Sequence, residues 1–478
     1  MFTKRSKKVV SLLFILTLIT SLFIGCTPKE DASADEPKVL RIMGGYGSDD
    51  SWLRREWTDF YEITHDNVEF EFIPMQEPQK PVREGEQPEE QEDPYERMKR
   101  LLQEGNAPDV ILLDDISQLT QLVAEGLVQP LDTFMEKSKF DIENIVPAVR
   151  DGIRDAGDGN SLYALAPMFS SQALFYNKNL FEDAGVQYPT DGMTWTQIAD
   201  LAKQMSKGEG EDKTYGLWSQ EGANFQHFIN VFSPPLGLKM FDEETMQMTM
   251  NTPEWEQVMT DYVNLSKDGI FPQPPNFNGK GEWEPWMDQY YQAFQMGKAA
   301  MAIMSSWEMN NMKNIKMYNL DAPEFDWDVV TVPVHEEAPG IGGSVNMQGI
   351  MAINRNAQNA DLAWDFISYV NSDEMLKIRS RSQDQFVSRK DLIGNTTGEG
   401  PSNMAAFYTL KPAPNPFSYT AARKNENIYM LWKVGYEQMQ KVMSEEITVQ
   451  QALDEIQKKG QETLDMKPGE QPPVGIYK

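Results

Sequence analysis

This 478-residue chain holds one cysteine, three histidines and only one long apolar run, and these scarcities bound its chemistry. With Cys26 alone there is no pair to oxidise, so the chain makes no internal disulfide. His65, His227 and His335 are too few and too scattered for a His/Cys zinc site, and thiol chemistry has no residue beyond Cys26 to use. His335-Glu336-Glu337 lacks a second histidine and reads as a solvated loop. GxSxG, HExxH, phosphate-loop and GxGxxG patterns are all missing. The sequence therefore calls for no cofactor and no metal. Basic residues are scarce as well: 43 Lys and Arg stand against 73 Asp and Glu, a net charge of −30. Such a balance argues against nucleic acid or anionic lipid as a ligand. Carboxylates are so abundant that a glycosidase pair stays open on counting alone.

What is present begins at the N-terminus. Lys4, Arg5, Lys7 and Lys8 precede an uncharged run from Val9 to Gly25. A basic start, a short apolar stretch and a small residue at the break make a secretory signal. At 17 residues the run is short for crossing a bilayer as a helix. Phe23-Ile24-Gly25-Cys26 resembles a bacterial lipobox, with Phe23 where leucine is usual. That resemblance implies a signal peptide over residues 1–25 and acylation of Cys26. It also implies a location on the extracytoplasmic face of the cell membrane, with the lipid as the membrane contact. Residues 26–37 are polar and form a tether. Without residues 1–25 the count becomes 39 basic against 73 acidic groups, or −34.

About 440 residues remain, more than one core serves well, so two domains are expected. Strand and helix patterns alternate. KVLRIMGGYG reads as a strand ending in a glycine loop, and VEFEFIPM as a second strand. Residues 77–93 are an acidic, Pro- and Gln-rich insertion. Asp93 caps a helix with Pro94 at its first position, and Gly105 ends it. Val110 to Leu113 is a continuous apolar run, the mark of a strand covered on both faces, followed by a helix from Ile116 to Glu125. Further on, a short strand is expected at Ala173–Tyr176, and capping boxes at Thr194/Gln197 and Thr448/Gln451. A helix follows Thr252-Pro253 and ends before Gly269. A helix at Trp286–Met296 precedes a buried strand at Ala300–Met304. Strands at Phe325–Val334 and Gly349–Ile353 flank Gly340–Gly343, and Asn427–Met443 is helical. The order is that of an α/β fold.

Several short segments recur in a characteristic order. They are Gly105-Asn106-Ala107-Pro108-Asp109-Val110, Gly126-Leu127-Val128-Gln129-Pro130-Leu131-Asp132 and Leu162-Tyr163-Ala164-Leu165-Ala166-Pro167. Leu174-Phe175-Tyr176-Asn177-Lys178-Asn179-Leu180-Phe181, Thr194-Trp195, Phe294-Gln295-Met296-Gly297-Lys298-Ala299-Ala300-Met301 and Ser305-Ser306-Trp307 follow. Together they resemble extracellular solute-binding protein family 1, the sugar-binding receptors of bacterial ABC importers related to maltose-binding protein. Two departures are the acidic insertion and Phe386-Val387-Ser388-Arg389-Lys390, which lacks the proline common there. The resemblance implies a two-lobed, type II periplasmic-binding-protein-like fold with ligand in the cleft between the lobes. Lobe one would hold 38–165 and 306–395, and lobe two 166–305 and 396–478. It further implies a monomer, not an enzyme, that takes a saccharide ligand and meets ABC transporter permease subunits.

Ligands of open α/β sheets sit beyond the carboxyl ends of strands. A sugar asks for aromatic faces and planar polar groups. The candidate ligand residues are accordingly Tyr46, Trp52, Asp114, Asp115, Ser170, Trp218, Ser306, Trp307 and Gly343. Asp115 equally suits a helix cap, and Trp52 a first buried helical position. Trp195 lies inside a capping box and reads as packing, Trp255 falls on an apolar stripe and reads as core, and Trp283, Trp286 and Trp432 suit either cleft or packing. Tyr290-Tyr291 superficially resembles the tyrosine pair of ferric-ion receptors, but lies on a helix where packing is the expected role. The alternatives to a sugar receptor are a receptor of the same fold for another solute, a surface glycosidase, or a non-transport sensor or adhesin.

The anchor is directly testable. Cys26→Ala should release the protein from membranes into the medium, and fractionation that still finds it membrane-bound would remove the lipid-anchor reading.

Overall fold

The structure, a computed structural model, describes residues 37–45, 49–76, 92–208, 212–219, 222–267, 292–320, 322–381, 385–393, 401–417 and 419–467. Cys26, Tyr46, the insertion over 77–91, Gly269, Trp283, Trp286 and Tyr290-Tyr291 lie outside the described residues.

In chain order the strands are β1 Lys38–Met43, β2 Val68–Ile73, β3 Val110–Leu113, β4 Ala164–Leu165, β5 Met168–Asn177 and β6 Tyr215–Trp218. They continue as β7 Phe241–Asp242, β8 Gln247–Met248, β9 Ala299–Ser305, β10 Trp327–Val330, β11 Val345–Gln348, β12 Ile350–Ile353 and β13 Phe386–Val387. The first sheet runs β2-β1-β3-β12-β4. β1 lies parallel to β2 and β3, while β12 enters antiparallel to β3 and β4. The apolar run Val110–Leu113 sits at its centre, buried throughout, as its composition requires.

The second sheet runs β10-β5-β9-β6. β10 falls within 306–395 yet pairs with β5, from Trp327↔Asn177 to Val330↔Leu174. β5 itself is ten residues long where the sequence predicts a strand only over Ala173–Tyr176. Its first four residues, Met168–Ser171, are only half apolar and follow directly on Pro167. They are held extended by pairing with β11 (Ser171↔Val345, Met168↔Gln348) and β13 (Phe169↔Phe386). Tertiary pairing thus sets a conformation that local propensity does not.

Side chains alternate across a strand, and on β5 the alternation divides two buried clusters. Ala173 and Phe175 enter the cluster that also fills the first sheet, whereas Leu174 and Tyr176 enter the cluster beneath the outer helices of the second sheet. Each fully buried ring of this kind contributes roughly 2–3 kcal/mol over an exposed one.

The helix ends follow their sequence signals. Asp93 Oδ1 accepts from the N–H groups of Tyr95 and Glu96, both at 3.0 Å, at the start of the helix Pro94–Leu101. That helix closes four residues before Gly105 rather than at it. Reciprocal capping boxes are present at Thr194/Gln197 and Thr448/Gln451. The expected helix over Asn427–Met443 is a 3₁₀ segment Glu426–Met430 running into the α-helix Leu431–Met443. Gly216 and Gly435 are there for space. A Cβ on Gly216 would lie 1.9 Å from Ala202 O, and one on Gly435 2.0 Å from Phe225 Cε1.

Within the second cluster His227 is wholly enclosed by rings. It stacks on Tyr262 at 5.8 Å with Nδ1 3.1 Å from the Tyr262 hydroxyl, and meets Trp195 edge-on at 6.2 Å. Burial depresses its pKa from 6.5 to about 3. The unfolded chain therefore binds a proton that the native state refuses. The stability this neutral imidazole represents is complete above pH 6.5 and is lost as pH falls from there toward 3. Melting temperatures measured across pH 6.5 to 4 should decline less steeply for His227→Gln than for the wild-type chain. Parallel profiles would show that His227 does not set the acid sensitivity.

Candidate functional site

The carboxyl ends of β1 and β3 meet at one edge of the first sheet. Gly44 leaves β1 against Leu112, and Gly45 turns with φ +75° over Leu53, so neither tolerates a side chain without displacing its neighbour. The chain then re-enters as helical segments Ser51–Leu53, Arg54–Thr58 and Asp59–Thr64, the middle one a π turn. Trp52 stands at the start of this stretch with 55% of its surface exposed. Trp57 instead packs its ring on Gly349, where a Cβ would come within 2.3 Å, and beneath the Arg379 guanidinium at 4.6 Å. Beyond β3, the Asp114 backbone N–H donates to Gln118 Oε1 (3.0 Å), and the Asp115 carboxylate accepts from Ser117 N–H (2.7 Å). Asp115 is thus the N-cap of the helix Ile116–Ala124, which accounts for one of its oxygens.

A second group gathers where β5 and β9 pass between the sheets. Ser306 N–H donates to Ser171 O (2.8 Å), and Ser171 N–H donates to Ser306 Oγ (3.4 Å). Ser306 is buried in this junction, and its Oγ is an acceptor within it. Ser170 lies one residue away on β5, opposite Asn346. Gly343 has φ +73°, accepts at its carbonyl from Ala413 N–H (3.0 Å), and a Cβ there would stand 3.8 Å from Gln172 O. Trp307 follows Ser306 directly and is 46% exposed. Its indole is a large apolar surface left in solvent at the mouth of this junction. Next to it, the Glu308 carboxylate accepts from Gln295 Nε2 (3.0 Å) and Asn311 Nδ2 (3.1 Å). Burial raises its pKa, and the two amides offset part of that rise.

Trp218 is the last residue of β6. It is 4% exposed and lies in the first buried cluster, paired on β6 with Ala302 of β9, so it offers no ring face to solvent. Nothing in Gly216-Leu217-Trp218 alone signals that burial.

Around Trp432, left open between cleft and packing in the sequence, the structure gathers further rings whose grouping the sequence did not reveal. Phe417 is 6.2 Å from Tyr429 and 6.0 Å from Trp432, and Trp432 is 6.2 Å from Phe225, which opens the helical segment after β6. Tyr429 and Tyr436 are exposed. Their positions, with Trp432 at i+3 and Tyr436 at i+7 from Tyr429, follow one helical face and were the available signal.

The profile of bacterial extracellular solute-binding proteins matches residues 44–377. The chain belongs to this family. The sn-glycerol-3-phosphate-binding periplasmic protein of Escherichia coli (strain K12) is 22% identical over 376 residues, covering 75% of this chain and 80% of that protein. A binding protein of Brucella abortus (strain 2308) is 25% identical over 299 residues, 62% of this chain. The match spans 66% of the Brucella protein's length. Among solved structures, a sugar transporter from Rhizobium etli in an open conformation superposes with a TM-score of 0.62 at 20% identity, over 90% of this chain and all of that one. An extracellular solute-binding protein family 1 structure from Alicyclobacillus acidocaldarius gives 0.62 at 15% identity, over 90% and 98%. The expected two-lobed, type II fold is therefore the observed one.

Proposed function

We propose that this member of the solute-binding family is a lipid-anchored, extracytoplasmic receptor. It captures a sugar or oligosaccharide in the cleft between its lobes and delivers it to the permease of an ABC importer, as a monomer and without chemistry on the ligand. The observation that carries the reading is Trp307, a large exposed ring held in place by the buried Ser171–Ser306 junction. An indole costs free energy when left in water, and a sugar's C–H face is a natural cover for it. Tyr429 and Tyr436 offer further faces from the C-terminal helices, while Trp52, Asp114, Ser170 and Gly343 are the contacts proposed beside them. Lobe one is taken as 38–165 and 306–395 without β10, and lobe two as 166–305 and 396–478 with it. The E. coli relative named for sn-glycerol-3-phosphate favours a second reading, a receptor of the same fold for a small phosphorylated polyol.

A thermal-shift screen of neutral saccharides beside glycerol phosphates separates the two, because a ligand selective for the native state raises the melting temperature by mass action. With a saccharide that scores in it, Trp307→Ala should weaken binding by about tenfold, near 1.4 kcal/mol, at an unchanged melting temperature of the free protein. Equal affinity by calorimetry would make Trp307 structural.

The same saccharide should also draw the lobes together, since groups on both must reach one ligand. Small-angle scattering at saturation is expected to give a smaller radius of gyration than the free protein. An identical value would point to a preformed site.

A further inference from the structure

The short helix Tyr419–Lys424 is fastened to lobe two. Ala421 is fully buried in the second cluster, Lys424 Nζ donates to Glu243 O (3.3 Å), and Asn425 Nδ2 donates to Leu464 O (2.7 Å). Arg423 lies among these residues and turns the other way. Its Nη2 is 2.5 Å from Asp93 Oδ1, its Nε 3.1 Å from Asp93 Oδ2, and its guanidinium carbon 4.5 Å from the centre of the Tyr95 ring. Glu96 is a further 4.0 Å contact. These partners belong to lobe one: Tyr95 is buried in the first cluster, and Asp93 caps the helix Pro94–Leu101. The helix Tyr419–Lys424 also packs against Ile116–Ala124 of lobe one.

Topology places this contact. The helix Pro94–Leu101 precedes β3 in a parallel crossover and so runs back against the strands. Its N-terminal end, at Asp93, therefore lies at the carboxyl ends of β1 and β3, the side on which the cleft opens. Ile116–Ala124 starts from that same side. The bridge therefore joins the lobes on that carboxyl side, through residues other than those of the Ser171–Ser306 junction.

We propose that the Arg423–Asp93 pair is a salt-sensitive latch that favours the closed arrangement of the lobes without touching the ligand. The proposal rests on the two-lobed receptor reading for its biological sense, but not for its test. A two-point guanidinium–carboxylate contact over an aromatic face is among the stronger ion-pair geometries. Both groups are only partly buried, so added salt should screen their attraction. Opening the lobes would return both charges to water, so the pair counts only when the lobes are close.

The helix cap and the latch can be separated, because asparagine caps a helix about as well as aspartate but carries no charge. Small-angle scattering on the purified, ligand-free chain should show a radius of gyration that rises with salt in the wild type. Asp93→Asn and Arg423→Gln should each show the larger value already at low salt, with no further rise, and the double variant should add nothing to either. Faster amide exchange in the helix Tyr419–Lys424 is expected in both single variants. Radii and exchange identical to wild type in a folded Asp93→Asn protein would overturn the latch. So would a double variant whose effect is the sum of the two. Failure of every saccharide in the thermal screen would count against the receptor reading and leave this result standing.

Discussion

The arrangement of both lobes depends on one strand. β5 gives its first four residues to β11 and β13 and its last residues to β9 and β10. Every group placed near the inter-lobe junction takes its position from that ladder: Ser170 on the strand itself, Ser306 and Trp307 through the Ser171 backbone, and Gly343 beside Gln172. A backbone ladder suits this task, because its hydrogen bonds fix register without needing particular side chains. Side chains at the junction can then differ while the geometry that presents them stays the same.

Three arginines join separate chain segments through carboxylates: Arg379 with Glu56, Arg389 with Asp373, and Arg423 with Asp93. At Asp93 burial works to raise the carboxyl pKa, and Arg423 together with the helix amides overcomes it, leaving the group below the usual carboxylate range. Among the rings of the second cluster, burial prevails instead. His227 and His335 are both held toward neutrality by burial, so the aromatic packing around them contains no buried cation at neutral pH.

Much of this was legible in the chain. The Val110–Leu113 run, the caps at Asp93, Thr194 and Thr448, and the turn at Ser305-Ser306-Trp307 are local signals, and they appear as local structure. What escaped reading was non-local. The first four residues of β5 lie outside the apolar run Ala173–Tyr176, and β11 and β13, well over a hundred residues away, pair with them. Trp218 and Trp307 both follow strands in sequence, and only the packed chain distinguishes the covered ring from the open one. The exposed rings Tyr429 and Tyr436 were visible as a helical spacing, but period alone does not say whether a face meets solvent or core.

The alternation along β5 and β9 also bears on how the molecule comes apart. Each strand sends neighbouring side chains into different clusters, Phe175 and Ala302 into one, Leu174 and Ile303 into the other. Two sheets would ordinarily permit two separate melting units. Here, loosening either cluster strips packing from strands that the other also needs, so the unfolding cooperativity of the two halves is joined. The two sheets are thereby denied the freedom to melt one at a time.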